Sequence, residues 1–156
     1  MPDEISTGDT ESPQPITKNL HSFLIGRSSG IEFGLDLTET RGVSTFGRII
    51  PIPGTAPSII GLTYFRGGIE AAIDLGLVWS NSSALITSES RAVLIEVEGR
   101  RAVLVVDSLL DLFDCGPNDL RIDEGKYRLT GQIGEIRKDG SQVPLISAAL
   151  FLQSIG

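Results

Sequence analysis

The sequence predicts an all-β protein with a short C-terminal helix, and three observations carry that prediction. The chain of 156 residues contains 18 glycines and 8 prolines, which favour many turns over long helices. Its apolar stretches are short and separated by glycines, as expected for strands joined by tight turns. Two of the separating dipeptides, Glu98-Gly99 and Asp139-Gly140, have the composition of two-residue hairpin turns.

The chain is predicted to begin with a disordered acidic tail over residues 1–19, followed by one domain over residues 20–156. The tail is rich in Ser, Thr, Pro and acidic residues and has almost no large apolar side chains. Burial therefore cannot offset the entropy lost on ordering it. The remainder is long enough to enclose a hydrophobic core.

The apolar stretches predict the following strands in chain order: 21–26, 30–37, 47–54, 59–65, 68–74, 84–88, 92–97, 101–107, 129–136 and 142–147. The clearest hairpin turns at Glu98-Gly99, because both flanking runs are rich in β-branched residues. A second hairpin turns at Asp139-Gly140, whose residue types tolerate positive φ. The predicted helix is "SAALFLQS", where the Ser147 side chain can cap the first turn.

A weak internal repeat favours a barrel of short, curved strands. The segments "GGIEAAIDLGL", "GRRAVLVVDSLL" and "GSQVPLISAAL" each give an apolar strand that ends in Asp74, Asp107 or Ser147 and resumes with leucines. The alternative is that any strand leaving a barrel ends in a polar residue. Most connections are too short for parallel crossovers.

Composition and charge exclude several classes of function. A formal net charge of -7 argues against binding a nucleic-acid backbone, which requires clustered cations. One cysteine and one histidine cannot form an internal disulfide or a usual zinc site, and no cofactor motif is present. No apolar run approaches the length of a membrane span, and the N-terminus lacks a secretory pattern. We therefore expect a cytoplasmic protein without a cofactor or metal.

The search for catalytic residues gives weak candidates only. "GRSSG" matches G-x-S-x-G, but a strand follows Ser28 instead of a helix, and His21 precedes the serine. We interpret the segment as a polar hairpin turn and His21 as a surface or satisfied histidine. The acidic pairs Asp111/Asp114 and Asp123/Glu124 are expected to lie in solvated, turn-like segments. Cys115 is interpreted as a half-buried turn residue.

The stretch "GLTYFRGGIEAAIDLG", residues 61–76, places one arginine beside two glycines between apolar runs. Gly67 and Gly68 allow the backbone to turn there. The Arg66 guanidinium either ties down nearby carbonyls or a carboxylate, or is presented to a partner. The alternating apolar residues of this stretch are expected at a barrel interior or an interface: Leu62, Tyr64, Ile69, Ala71 and Ile73.

"IPGTAPSIIGLTYFRGGIEAAIDL" resembles the CheW-domain family, in which a proline-bearing loop, an apolar strand, an Arg-Gly turn and a strand ending in Asp-Leu follow one another. Three further segments are similar to that family: "FLIGRSSGIEFGLDL", "RRAVLVVDSLLDLFDCGPNDLRI" and "LTGQIGEIRKDGSQVPLISAALFL". The resemblance covers residues 23–152.

The resemblance implies two intertwined five-stranded barrels, similar to SH3 barrels, with a hydrophobic core between them. It also implies a non-enzymatic adaptor that joins methyl-accepting chemoreceptors to a CheA-type histidine kinase in bacterial motility signalling. One barrel would dock on the regulatory domain of the kinase, and a groove near the barrel junction would receive the helical tip of the receptor. Such a protein would act in the cytoplasm at membrane-associated receptor arrays.

The resemblance also suggests interaction residues. On the receptor side the candidates are Arg66, Gly67, Thr40 and Val43. On the kinase side they are Ile49, Ile52, Ile59 and Leu62. Two departures bear on the receptor side: Gly42 stands where the family usually has a glutamate, and Ala71 stands where it has a proline. Glu39 is an acidic residue close in sequence to Gly42.

Three functions therefore stay open at this point. The first is an adaptor that binds both receptor and kinase, and the second is a divergent regulator that binds one of them. The third is a small β-barrel that binds a ligand or catalyses a reaction. A cleft with convergent titratable groups would favour the third, whereas apolar surface patches would favour the first two.

Overall fold

The computed structural model describes residues 20–45, 47–82, 86–123, 125 and 127–155. These residues form two six-stranded sheets and two short α-helices. The tail predicted over residues 1–19 lies outside them. In chain order the strands are β1 (His21–Ser28), β2 (Ile31–Asp36), β3 (Thr40–Thr45), β4 (Ile49–Ile50), β5 (Ile59–Phe65), β6 (Gly68–Asp74), β7 (Arg91–Val97), β8 (Arg100–Val106), β9 (Ser108–Cys115), β10 (Leu120–Ile122), β11 (Gln132–Lys138) and β12 (Ser141–Ile146); the helices are α1 (Leu75–Ser80) and α2 (Ala148–Ile155).

The two sheets are intertwined, as predicted. Sheet 1 has the order β10-β11-β12-β2-β1-β9 and sheet 2 the order β4-β5-β6-β8-β7-β3. If each strand of the first half (β1–β6) is exchanged with its counterpart in the second half (β7–β12), the strand order of one sheet becomes that of the other. The chain is therefore a structural duplication in which each half contributes its first hairpin, β1–β2 or β7–β8, to the sheet of the other half.

The register of the strands obeys the same equivalence. In sheet 2, β6 runs parallel to β8, with Ile73 beside Leu104. In sheet 1, β12 runs parallel to β2, with Ile146 beside Leu35. Each sheet has six strands instead of the five expected, because the short strands β4 and β10 extend one edge.

The described residues form three apolar clusters that stabilise the sheets. The largest lies between them and combines buried residues of both sheets and α2, including Phe33, Leu104 and Phe151. Sheet 1 curls around a cluster that includes Phe23, and sheet 2 around a smaller one that includes Phe65. This arrangement confirms the predicted core between two barrels.

The hairpin turns follow local sequence chemistry. The pairs Glu98-Gly99 (φ 52° and 81°) and Asp139-Gly140 (φ 52° and 80°) have the positive φ angles of tight hairpin turns, as predicted. Ser29-Gly30 and Arg66-Gly67 also have positive φ angles. The segment "GRSSG" is therefore a hairpin turn, and Arg66 itself has a left-handed φ. The expectation that the turn uses Gly67 and Gly68 is thus corrected to Arg66 and Gly67.

The helices begin at equivalent polar residues. The Ser147 Oγ accepts a hydrogen bond from the backbone N–H of Leu150 at 3.2 Å, which confirms the predicted cap of α2. The Asp74 carboxylate accepts from the N–H of Gly76 and caps α1, which sequence analysis missed. Two segments of the sequence repeat are therefore equivalent, whereas Asp107 lies in the link from β8 to β9.

Some predicted strands were wrong in extent or type. Of the strand predicted over 84–88, residues 84 and 85 lie outside the described residues and residues 86–88 form no strand. Thr87 and Ser90 exchange side-chain and backbone hydrogen bonds in a turn there. The strand predicted over 47–54 is reduced to Ile49–Ile50. Strands β3, β9 and β10 were not predicted, and Asp111 and Asp114 lie in β9, not in a turn.

Candidate functional site

The weak catalytic candidates do not come together in the described part of the chain. Ser28 and His21 occupy opposite ends of β1, which places them about 23 Å apart at the usual rise per residue. Asp111 and Asp114 are three residues apart on β9 and therefore point to opposite faces. Among the described residues, no three His, Cys, Asp or Glu side chains are grouped to hold a metal ion.

Asp123 belongs to a surface loop. Its carboxylate accepts hydrogen bonds from the Tyr127 hydroxyl at 2.5 Å and the Gly125 N–H at 2.9 Å. The Tyr127 hydrogen bond is the main reason that the pKa of Asp123 is lowered. Glu124, its predicted partner, lies outside the described residues.

A cavity of 140 Å³ lies between strands of sheet 1 and the link from β2 to β3, and is lined by His21, Phe23, Asp36, Glu39, Ile122 and Leu145, among others. Its two carboxylates are engaged in local structure. Asp36 accepts from the N–H and hydroxyl of Thr38, and Glu39 accepts from the N–H of Ala148 at 2.8 Å. The acidic residues therefore hold the link to β3 and the start of α2 in place.

The Arg66 side chain crosses from the β5–β6 turn to β3. Its Nη2 donates to the carbonyl of Val43 at 3.2 Å, and its Cζ lies 5.3 Å from the centre of the Phe65 ring. Because β3 and β5 are separated in the order of sheet 2, this contact bridges parts of the sheet that do not pair. One of the two predicted roles of Arg66, holding a carbonyl, is thus confirmed.

Gly42 leaves space for the Arg66 side chain where it crosses to β3. A Cβ atom at Gly42 would be 2.7 Å from Nη1 and 3.0 Å from Cζ of Arg66, so a side chain at position 42 would make the end of the Arg66 side chain shift. The guanidinium therefore occupies the space of a missing side chain. Glu39, which lies close in sequence, binds the start of α2 and forms no ion pair with Arg66.

The four receptor-side candidates do not all meet. Arg66, Gly67 and Val43 come together at the seam between the β5–β6 turn and β3. Thr40 is at the start of β3, where its hydroxyl donates to the carbonyl of Leu37 at 2.9 Å. Val43 also packs against the central core.

The four kinase-side candidates divide between core and surface. Ile59 packs against the central core, and Ile49 is partly buried opposite Thr63. Ile52, in the loop after β4, is 38% exposed. Leu62 is partly buried, and the residues around it on β4, β5 and β6 form a larger exposed surface.

That surface is an apolar face of the β4–β5–β6 meander. Cross-strand pairing places Ile50 opposite Leu62, Leu62 opposite Ala71, and Tyr64 opposite Ile69. Tyr64 is 69% exposed, Ile69 is 68% exposed and Ile50 is 52% exposed. We call these five residues the hairpin face. The alternation of these apolar residues was visible in the sequence. The sequence did not decide whether they face the barrel interior or form an interface.

The duplication supplies an internal comparison for the hairpin face. In sheet 1 the equivalent pairs are Arg121 with Glu135, Glu135 with Pro144, and Arg137 with Gln142. Arg121 and Glu135 are ion-paired at 2.6 Å. Because the same fold carries four polar residues and a proline at the five equivalent positions, folding does not require the hairpin face to be apolar.

The fold and the hairpin face define a class of protein: β-rich, with two intertwined barrels and an exposed apolar surface suited to binding another protein. The CheW-like domain family matches residues 22–156, and the chain belongs to that family, whose members are chemotaxis scaffold or adaptor proteins.

A solved structure supports the fold. The scaffolding protein TtCheW from Thermoanaerobacter tengcongensis is similar with a TM-score of 0.74 and 22% sequence identity, over 81% of this chain and 88% of that chain. A search of curated proteins finds no match. None of the described helices has the length and apolar character needed to cross a membrane.

Proposed function

We propose that this protein is a non-enzymatic adaptor that couples chemoreceptors to a CheA-type histidine kinase, in the cytoplasm at receptor arrays. The observation that carries the proposal is the hairpin face, an exposed apolar surface whose equivalent in sheet 1 is polar except at Pro144. Membership of the CheW-like family supports the same role.

The kinase regulatory domain is proposed to dock on the hairpin face. Tyr64 and Ile69 are large, exposed and directly opposite each other, which suits them to act as apolar anchors. Among the kinase-side candidates, Leu62 belongs to this face and Ile52 is exposed nearby in sequence. Ile49 and Ile59 are more buried and are proposed to support it.

The receptor tip is proposed to contact the seam formed by Arg66, Gly67 and Val43, with Thr40 at the other end of β3. Coupling would then be allosteric: an adaptor that prefers one state of receptor or kinase shifts the population of that state in proportion to its differential affinity. No bond is made or broken.

A divergent regulator that binds only one partner is the second candidate. Gly42 favours it, because the Arg66 guanidinium bridges to a backbone carbonyl and has no carboxylate from position 42. If a receptor requires that carboxylate, the chain would bind the kinase alone.

Separate titrations with the kinase regulatory domain and with a receptor cytoplasmic hairpin test the proposal. We expect the wild-type protein to bind both, and Tyr64→Ser together with Ile69→Ser to weaken kinase binding by at least about tenfold, because truncating interface anchors typically costs 2 kcal/mol or more. The matched control is Arg137→Ser together with Gln142→Ser, at the equivalent positions of sheet 1. Both double variants should keep the wild-type melting temperature.

The outcomes separate the candidates. Binding to the kinase alone would support the one-partner regulator. Equal weakening by both double variants would contradict docking on the hairpin face, and binding of the wild type to neither partner would contradict the adaptor.

A further inference from the structure

Thr63 is a buried polar residue at a position that the other half of the molecule fills with an apolar one. It is 4% exposed and lies on the same face of β5 as the buried Phe65. The equivalent residue of β11 is Ile136, which is fully buried. Folding of such a sheet therefore does not require a hydroxyl at this position.

The Thr63 hydroxyl holds the entry to β4. It donates a hydrogen bond to the backbone carbonyl of Arg48 at 3.0 Å, and Arg48 immediately precedes that strand. A buried hydroxyl without an acceptor would be destabilising. The bond therefore favours the arrangement in which β4 lies against β5.

Strand β4 has few backbone pairs of its own. It consists of Ile49 and Ile50, whereas β10, at the equivalent edge of sheet 1, has three residues. The next residue is Pro51, whose ring removes the backbone N–H that a further pair could use. At this end of β4, a Cβ atom at Gly61 would overlap the Ile50 carbonyl, so the two backbones are in close contact. The Thr63 hydroxyl secures the opposite end.

This short strand carries one residue of the hairpin face. Ile50 is 52% exposed and lies opposite Leu62. Because side chains alternate along β5, Thr63 points away from the face that Leu62 and Tyr64 share. Thr63 therefore cannot contact a protein docked on the hairpin face, and its hydroxyl can affect docking only through the position of β4.

We propose that Thr63 is a positioning residue that holds Ile50 in the hairpin face for docking of the kinase regulatory domain. The inference rests on the proposed function and names a residue that serves it without touching the partner. An edge strand held in its bound position before docking loses less conformational entropy on binding than a loose strand does. Removal of the hydroxyl would thus weaken docking although no contact atom is lost.

A double-mutant cycle in the full-length protein tests this role, with the kinase regulatory domain as the probe. Thr63→Val removes the hydroxyl and keeps the shape of the side chain. We expect it to weaken binding about threefold to tenfold, the factor that corresponds to a typical hydrogen bond. Thr63→Ser keeps the hydroxyl and should bind like wild type. In an Ile50→Ala background, Thr63→Val should have no further effect, because the residue through which it acts has been truncated.

Hydrogen exchange gives a readout of β4 that does not depend on the kinase. Peptides containing Ile49 and Ile50 should exchange faster in Thr63→Val than in wild type, and at the wild-type rate in Thr63→Ser. Gly134→Ala, which disturbs the equivalent edge of sheet 1, is the control for a general loss of stability and should leave the affinity for the kinase domain unchanged. Thr63→Ala replaces Thr63→Val if circular dichroism shows that the valine variant does not fold.

The outcomes separate this inference from the proposed function. A loss of affinity in Thr63→Val that is absent from Thr63→Ser and from the Ile50→Ala background supports the positioning role. Wild-type affinity of Thr63→Val, or an equal loss in the Ile50→Ala background, refutes that role while docking of the kinase on the hairpin face stands. If the wild type does not bind the kinase domain, both are overturned.

Discussion

Arg66 shows how a single residue combines an unfavourable backbone with a useful side chain. Its φ of 47° is in the left-handed region, which glycine, asparagine and aspartate adopt more readily than arginine. The equivalent turn residue in the other half is Asp139, which suits that conformation. Retaining arginine at the strained position is consistent with a role for its guanidinium beyond the turn.

Cys115 gives a prediction at the same scale. The side chain is 1% exposed at the end of β9, in the cluster inside sheet 1, so the half-buried turn position expected from sequence is corrected. Burial raises the pKa of its thiol, and the nearby charge of Asp119 acts in the same direction. A raised pKa leaves less of the reactive thiolate.

We therefore expect iodoacetamide at about pH 8 to alkylate native Cys115 at least about tenfold more slowly than the urea-unfolded chain, as judged by mass spectrometry. The unfolded chain is the control for intrinsic reactivity. Equal rates in both states would contradict the burial of this thiol.

At the scale of elements, the two meanders use glycine for the same purpose. Gly61 in β5 and Gly134 in β11 sit at equivalent register shifts, next to the short edge strands β4 and β10. A Cβ atom at Gly61 would overlap the backbone carbonyl of Ile50, and one at Gly134 would overlap that of Arg121. The absence of a side chain thus allows each edge strand to pair.

Gly61→Ala and Gly134→Ala should each lower the free energy of unfolding by about 1–3 kcal/mol, because the backbone carbonyls cannot move without parting the strands. Gly61→Ala should cost more, since its φ of 152° is also unfavourable for alanine. Gly116→Ala, where a Cβ atom would meet nothing within 4 Å, is the control and should change stability by less than about 0.5 kcal/mol. Urea unfolding midpoints measure all three, and a neutral Gly134→Ala would argue against the close pairing of β10.

At the scale of the whole molecule, exchange of hairpins between the halves makes the barrels depend on each other. The central cluster contains Phe33 from β2, Leu104 from β8 and Phe151 from α2. Unfolding of either sheet would therefore expose buried apolar residues of the other. Trp79 reports on this junction, because its ring contacts Phe33 and its Nε1 donates to the Thr130 carbonyl.

Unfolding should therefore be a single transition, with Trp79 fluorescence and far-ultraviolet circular dichroism giving the same midpoint. Phe151→Ala should lower the free energy of unfolding by about 3–5 kcal/mol while keeping the two probes coincident. Separate midpoints for the two probes would show that the barrels unfold independently.

The sequence by itself determined the features that depend on neighbouring residues. The all-β class, the turns at Glu98-Gly99 and Asp139-Gly140 and the Ser147 cap were predictable, because backbone preferences and capping act within a few residues. The order of motifs along the chain was also sufficient for the family.

Only the tertiary structure decided what depends on distant residues. Strand β3 (TRGVST) carries no apolar run, and β9 (SLLDLFDC) has its apolar residues in adjacent pairs instead of in alternation. Both strands are stabilised by pairing, β3 with β7 and β9 with β1. Gly42 and Arg66 meet because sheet 2 curls, although 24 positions separate them in the chain. The exposure of Tyr64 and Ile69 was likewise decided by packing, since alternation along a strand assigns side chains to a face but does not establish whether another layer covers that face.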